Sequence, residues 1–156
     1  MFFSGYKSDM NGTKACSIEN FCIDQKISFT KFDYYGNGES DGTFKDGTIS
    51  RWLKDSLLIL DNVTCGNQIL IGSSMGSWIM FLVAALRKKR VAGLIGIASA
   101  PDFTKFFWET ASQKTRNQLI NNGVFLQTSQ YSDEKTPITF NLINDSKGLY
   151  ILDEKI

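Results

Sequence analysis

The segment NQILIGSSMGSWIMFLVAALRK, residues 67–88, joins an apolar strand directly to an apolar helix through a turn of small residues. A turn of this kind at the carboxyl end of a parallel strand raises its central side chain, here Ser74, on a tight bend. Gly72 and Gly76 flank it without Cβ atoms that would clash with neighbouring elements. Because the free N–H groups of the following helix favour negative charge, the pattern predicts that Ser74 is a nucleophile and that the Met75 amide stabilises an oxyanion. The same residues would also suit a turn that only packs a strand against a helix.

Residues 1–98 alternate short strand-like segments with longer helical ones. This alternation is typical of right-handed βαβ units, which build a parallel sheet. Two of the strand segments, ILIG and VAGLIGIA, are apolar on both faces, which predicts a sheet covered by helices on both sides. From the apolar periodicity, the predicted strands are Phe2–Phe3, 27–34, 68–72 and 91–98, and the predicted helices are 12–25, 48–62 and 75–88. Thr48 is the predicted N-cap of the second helix.

The pattern changes after residue 102. A polar helix with an aromatic start is predicted over 103–123, followed by a hairpin over 124–140 and a short helix that begins at Pro137 and runs through Leu142. This is not another βα unit, so we expect an insertion that lies over the sheet. The predicted division is a core over 1–102 and a cap-like segment of the same domain over 103–156.

An oxyanion hole needs a second N–H group from another part of the chain. The segment FFSGYKSDMNG leaves a strand end after Gly5 and turns toward a helix. The amide of Tyr6 is the first candidate and that of Lys7 the second. An ordinary βα loop would have the same pattern.

Composition excludes several classes of function. Lysine and arginine number 17 and aspartate and glutamate 16, a net charge of +1, so neither a nucleic acid nor an anionic membrane is an expected partner. The longest apolar run, 78–86, is too short to span a bilayer. Cys16, Cys22 and Cys65 have no metal-ligand spacing, and histidine is absent, so we predict free thiols, no metal site and a cytoplasmic protein.

The glycine-rich segment YYGNGESDG is a poor phosphate loop. Its three glycines approximate GxGxxG but are one residue too long, and no helix follows the third glycine directly. Glu39 and Asp41 would repel phosphates, and no GK[ST] sequence occurs in the chain. A nucleotide-binding domain is therefore disfavoured.

Four segments, SGYKSDMNGTKA, FDYYGNGESDGTFKDGTISRWLKD, ILIGSSMGSWIM and RVAGLIGIASAPDFT, together resemble the α/β-hydrolase superfamily. Within it they are most similar to the branch of mitochondrial acyl-protein thioesterases, acyl-glucuronide esterases and their bacterial relatives. The resemblance implies an α/β fold and a serine hydrolase that cleaves a small acyl ester or thioester through an acyl-enzyme, without a cofactor. Ser74 would be the nucleophile, the amides of Met75 and Tyr6 would form the oxyanion hole, and residues 103–152 would belong to a lid.

An aromatic cluster opens the cap-like segment. Its members could line an apolar acyl pocket, or they could simply pack within the lid. The cluster comprises Phe103, Phe106, Phe107 and Trp108.

The departures from the family concern the rest of its catalytic triad. In the family the triad acid follows the seventh strand and the histidine follows the eighth. This chain resembles the stretch from the third strand to just before the seventh, so we expect a partial fold, truncated at both ends, with strand order 4-3-5-6. A second polypeptide could supply the missing strands, acid and histidine, and without one the apolar edge strands would invite association.

The absence of histidine decides what Ser74 can do alone. A serine hydroxyl is a poor nucleophile near neutral pH unless a base removes its proton. Asp102 is a weak candidate for the triad acid and a better candidate for the N-cap of the helix at 103, and Asp33 is a turn former. Lys7 could act as a base only if it were desolvated. We therefore predict a chain that has almost no catalytic activity by itself, or alternatively an inactive remnant or binding module.

Overall fold

A three-stranded parallel sheet lies at the centre of the molecule, in a computed structural model that describes residues 1–128 and 135–152. Strand β1 (Phe2–Phe3) pairs with β2 (Gln68–Ser73), and β2 pairs with β3 (Val91–Ile97). Gly72 lies opposite Phe3 on one side and Gly96 on the other. The turn that carries Ser74 therefore leaves the carboxyl end of the middle strand, and the predicted α/β class with a parallel sheet is confirmed.

Three helices connect the strands: α1 (Thr13–Asp24), α2 (Ile49–Asn62) and α3 (Met75–Leu86), with 3₁₀ turns at Phe44–Asp46 and Lys88–Arg90. The predicted helices agree with these bounds to within two residues. The hydroxyl of Thr48 accepts a hydrogen bond from the Arg51 amide at 3.3 Å, which caps α2 as its sequence predicts. Helix α3 is buried along most of its length because it packs against all three strands.

The strand predicted over 27–34 is absent. This segment runs beside β1, where the Phe2 amide donates to the Thr30 carbonyl at 2.9 Å, and the Phe32 ring packs edge-on against Phe3 with 5.9 Å between centroids. Because β1 has only two residues, it has too few free groups to build a ladder with the segment. The central sheet of the described residues therefore has three strands, in the order β1-β2-β3, instead of the four strands predicted.

The apolar faces of the sheet are covered unequally. Leu70 is fully buried in the main core, whereas Ile69 is 54% exposed and Ile95 is 48% exposed. Successive side chains of a strand point to opposite faces, and Leu94, which lies opposite Leu70, is also 43% exposed. Both faces are therefore covered at β1, where both residues are buried, but neither face is fully covered at β3. The prediction of cover on both sides is thus only half correct for the described part of the chain.

Beyond β3 the chain forms two short helices, a hairpin and a third helix. These are α4 (Phe103–Thr110), α5 (Gln113–Asn122), β4 (Val124–Gln127), β5 (Thr136–Thr139) and α6 (Phe140–Ser146). The single helix predicted over 103–123 is wrong, because Ala111 leaves helical geometry and the hydroxyl of Ser112 caps a new helix by accepting from the Thr115 amide at 3.1 Å.

The antiparallel hairpin is confirmed, with Leu126 opposite Pro137. The part of the predicted hairpin over 129–134 lies outside the described residues, as does 153–156. Pro137 lies within β5 and does not begin the last helix, because Thr139 caps α6 by accepting from the Leu142 amide at 3.1 Å.

Two apolar clusters form the core. The larger one joins the sheet to α2 and α3, and the smaller one consists of Leu119, Ile138 and Ile143 in the segment beyond β3. Two partly buried rings, Tyr6 and Phe103, pack against both clusters. These rings therefore connect the segment beyond residue 102 with the sheet.

Candidate active site

Ser74 adopts a backbone conformation that side chains rarely occupy, with φ 53° and ψ −122°. Such a conformation costs about 1–3 kcal/mol and persists only where the surroundings enforce it. Here the Ser74 amide donates to the Ile97 carbonyl at 2.9 Å, and the Ser74 carbonyl accepts from the amides of Ser77 at 3.0 Å and Ala100 at 3.2 Å. Backbone hydrogen bonds from β3 and α3 thus hold the strained bend.

The flanking glycines are required by close backbone contacts. A Cβ atom on Gly76 would lie 2.5 Å from the carbonyl oxygen of Ser4 and even closer to that of Phe3. A Cβ atom on Gly72 would lie 2.5 Å from the Cα atom of Ser77. Both positions are therefore restricted to glycine, as the sequence pattern predicts.

Two amides near Ser74 have no acceptor within the described parts of the chain. The Met75 amide opens α3, where the first N–H groups lack partners within the helix. The Tyr6 amide follows Gly5, on which a Cβ atom would lie 3.5 Å from the Cβ of Ser74. The two amides predicted for an oxyanion hole are thus unpaired and belong to segments that adjoin Ser74.

A cavity of about 660 Å³ opens beside Ser74. Its volume falls within the usual range for small-molecule sites. One part of its wall is apolar and aromatic, and the other part, from the hairpin, is polar. The lining consists of Tyr6, Ser74, Met75, Ala100, Phe103, Phe107, Gln127, Thr128, Thr136 and Ile138.

Two of the four aromatic residues predicted for a pocket line this cavity. Phe103 and Phe107 are one helical turn apart, so they share a face of α4. Phe106 is 71% exposed, and Trp108 packs against the Phe140 ring with 5.8 Å between centroids. Sequence analysis missed the hairpin wall, because its position depends on tertiary contacts.

Asp102 is engaged away from the cavity. Its buried carboxylate accepts from the Ile151 amide at 2.9 and 3.1 Å and from the Leu152 amide at 2.8 Å. Asp102 does occupy the N-cap position of α4, but its side chain makes no cap hydrogen bond. The carboxylate therefore fastens the last described segment, whereas Asp33 binds the amides of Met10 and Glu39 at a turn, as predicted.

The described lining of the cavity contains no carboxylate, amine or imidazole. Its one ionisable group besides serine is the Tyr6 phenol, and burial raises the pKa of this phenol well above its usual value. Tyr6 therefore stays protonated and cannot act as a base near neutral pH. Lys7 is exposed and does not line the cavity, so it lacks the desolvation that a basic lysine requires.

The described residues include no group of three or more histidine, cysteine, aspartate or glutamate side chains that could hold a metal ion. Cys16, Cys22 and Cys65 are free thiols. No described helix has both the length and the hydropathy needed to cross a bilayer.

Comparison with known proteins assigns the class of this fold and site. A family model described as the alpha/beta hydrolase fold matches residues 26–142, which is well over half of the chain. The chain therefore belongs to the α/β-hydrolase family.

The relatives within that family are more specific. Mitochondrial palmitoyl-protein thioesterase ABHD10 of Bos taurus is 38% identical over 157 residues, covering all of this chain and 51% of the relative. The structure of mouse alpha/beta hydrolase domain-containing protein 10 matches with TM-score 0.89 and 38% identity, over 99% of this chain and 62% of that one. A hydrolase structure from Agrobacterium vitis S4 matches with TM-score 0.94 and 36% identity over the same shares.

The chain spans about half the length of the curated relatives it matches. These relatives are named as mitochondrial proteins. The predicted cytoplasmic localisation is therefore wrong: it rests on cysteine usage, which does not separate these compartments.

Proposed function

We propose that this chain carries the nucleophile, the oxyanion hole and much of the acyl pocket of a serine hydrolase that cleaves carboxylic esters or thioesters. The observation that carries the proposal is the strained Ser74 bend, which lines a 660 Å³ cavity beside two unpaired amides. The names of the relatives, palmitoyl-protein thioesterases, favour an acyl thioester as the substrate.

The proposed reaction proceeds in two steps. The Ser74 oxygen attacks the carbonyl carbon of the substrate while a base takes the hydroxyl proton, and the negative charge that develops on the carbonyl oxygen is stabilised by the amides of Met75 and Tyr6. The thiolate or alkoxide then leaves, and water hydrolyses the acyl-enzyme. The acyl chain lies along Phe103, Phe107 and Ile138, which line the cavity.

We further propose that 1–102 is the catalytic core and that 103–156 is a cap over the acyl site, as expected from the sequence. The aromatic residues at the start of α4 and the hairpin residues that line the cavity support this division. The comparisons give no support for a second polypeptide that completes the site, so that hypothesis stays a prediction.

The base is the missing component of this mechanism. The 156 residues contain no histidine, and loss of the triad histidine from a serine hydrolase costs about a million-fold in turnover. We therefore expect the 156-residue chain to react slowly at neutral pH and to be accelerated by added imidazole, which supplies a base from solution.

The same absence favours a second candidate, a binding module that uses the cavity without chemistry. Both candidates predict that an apolar acyl ligand binds. They differ in whether Ser74 becomes acylated.

Thioester cleavage by the 156-residue chain tests the proposal, with release of the free thiol measured in the presence and absence of excess imidazole. The matched variants are Ser74→Ala and Ser73→Ala, since Ser73 is the buried neighbour in β2. We expect slow release, rescue by imidazole, and loss of both only in Ser74→Ala. Equal release by the two variants would contradict a role for Ser74 and leave the binding module.

A further inference from the structure

Tyr6 contacts both halves of the cavity wall. Its hydroxyl donates a hydrogen bond to the Pro137 carbonyl at 2.6 Å, across 131 positions of sequence. Pro137 is buried in β5 between Thr136 and Ile138, and both of these neighbours line the cavity. The hydrogen bond therefore ends at the centre of the hairpin wall.

The ring of Tyr6 is held from several sides. It packs against Phe44 at 5.0 Å, Trp52 at 5.9 Å and Phe103 at 5.4 Å between centroids. Aromatic pairs at these distances favour a defined relative orientation. The Tyr6 side chain therefore cannot move with the hairpin part of the cavity wall without also disturbing its contacts with the rest of the wall.

The hydroxyl remains a donor across the physiological range. Burial raises the pKa of Tyr6 well above the usual value of a phenol, so the proton stays on the oxygen. A carbonyl oxygen accepts but cannot donate, which fixes the direction of the bond from Tyr6 to Pro137.

The backbone of Tyr6 belongs to the other half of the site. Gly5 lies against the Ser74 turn, with a Cβ position 3.3 Å from the Ser73 carbonyl oxygen. The Ser8 amide closes a tight turn by donating to the Gly5 carbonyl at 3.1 Å, and Lys7 has φ 56° within it. Because this tight turn restricts the backbone, a shift of the Tyr6 ring also moves the Tyr6 amide.

We propose that Tyr6 is a positioning residue that couples the β4–β5 hairpin to the oxyanion hole, so that contact between a long acyl chain and the hairpin wall aligns the Tyr6 amide. This inference rests on the proposed function of Ser74. The consequence is selectivity for acyl chain length. A long acyl chain reaches the hairpin and therefore reacts faster with Ser74, whereas an acetyl group does not reach it and is not accelerated.

Two variants separate this role from simple packing. Tyr6→Phe removes only the hydroxyl that binds Pro137. Tyr34→Phe removes a hydroxyl that is buried in the main core beside Ser56 and does not line the cavity. Each change deletes one oxygen from a tyrosine, so the second variant is the matched control.

The first measurement is the rate of phosphonylation at Ser74 by a fluorophosphonate with a dodecyl chain and by one with an ethyl chain, in excess imidazole. In this step the Ser74 oxygen–phosphorus bond forms, the phosphorus–fluorine bond breaks, and the base takes the serine proton. We expect Tyr6→Phe to lower the dodecyl-to-ethyl rate ratio about fivefold, the effect of one ordinary hydrogen bond. Tyr34→Phe should leave the ratio unchanged, and an unchanged ratio in Tyr6→Phe would overturn the proposal.

The second measurement does not depend on catalysis. Hydrogen exchange should accelerate together in the peptides that cover residues 4–12 and 135–140 in Tyr6→Phe, and in neither peptide in Tyr34→Phe. Acceleration in one peptide only, or in neither, would overturn the coupling. If the unmodified chain shows no labelling at Ser74, the proposed function fails by itself, and the exchange result still decides whether Tyr6 couples the two segments.

Discussion

The Ser74 turn and the β4–β5 hairpin both line one cavity, but different interactions hold them in place. Around Ser74 the contacts join backbone to backbone, from its amide to Ile97 and from its carbonyl to Ala100. The hairpin depends on side chains, including the Tyr6 hydroxyl on Pro137 and the rings that pack around it. The close backbone approach restricts positions 72 and 76 to glycine and enforces one geometry at the turn. Changes in the side chains around the hairpin can instead alter the shape of the pocket and leave the nucleophile in place.

The largest effect is expected from a substitution that disrupts the backbone contacts of the Ser74 turn. Gly76→Ala would drive a Cβ atom into the carbonyl oxygens of Phe3 and Ser4. We expect a loss of about 3 kcal/mol or more in the free energy of unfolding, measured by urea denaturation. Gly148→Ala is the matched control, since nothing lies within 4 Å of its Cβ position. Equal stability of the two variants would show that the close approach does not exist.

A smaller effect is expected at Asp102, where a side chain rather than the backbone accepts the hydrogen bonds that hold a segment. Asp102→Asn keeps the shape of the side chain but replaces one of the oxygens that accept from Ile151 and Leu152 by an N–H donor. We expect a loss of about 1–3 kcal/mol in the free energy of unfolding. Hydrogen exchange should accelerate at 149–152, with little change at the Ser74 turn. Acceleration at both places would mean that the two regions unfold as one.

The smallest effect concerns an unused hydroxyl in the main core. Tyr34 is fully buried, and its oxygen lies beside the Ser56 hydroxyl without forming a hydrogen bond of ordinary geometry. Tyr34→Phe should change the free energy of unfolding by less than about 0.5 kcal/mol, or raise it, because a buried and unpaired polar group is costly. A loss above about 1 kcal/mol by urea denaturation would show that the hydroxyl is hydrogen-bonded after all.

The same comparison explains which parts of the molecule sequence analysis could predict. The cap at Thr48, the glycines beside Ser74 and the strands β2 and β3 follow from local patterns, and the structure has them at the predicted places. The break at Ala111, the missing strand over 27–34 and the hairpin residues of the cavity were not predicted. The missing strand and the hairpin residues depend on distant segments, such as the short β1 and the Tyr6 hydroxyl. The break at Ala111 is local, since the Ser112 hydroxyl accepts from the Thr115 amide, and a serine at a helix start is the signal that could have predicted it.

The candidate site divides in the same way. Ser74, Met75 and Tyr6 come from motifs of a few residues, and all three line the cavity. Of the predicted aromatic wall, Phe103 and Phe107 line it, while Phe106 is mostly exposed and does not.

Mapping of a fluorophosphonate adduct by mass spectrometry tests the central claim most directly. We predict a single adduct on Ser74, formed slowly at neutral pH, accelerated by imidazole and absent from Ser74→Ala. An adduct on another serine, or none on Ser74 even with imidazole, would contradict the claim that the bend presents a reactive hydroxyl. Rapid labelling at neutral pH without imidazole would instead show that these 156 residues contain a base.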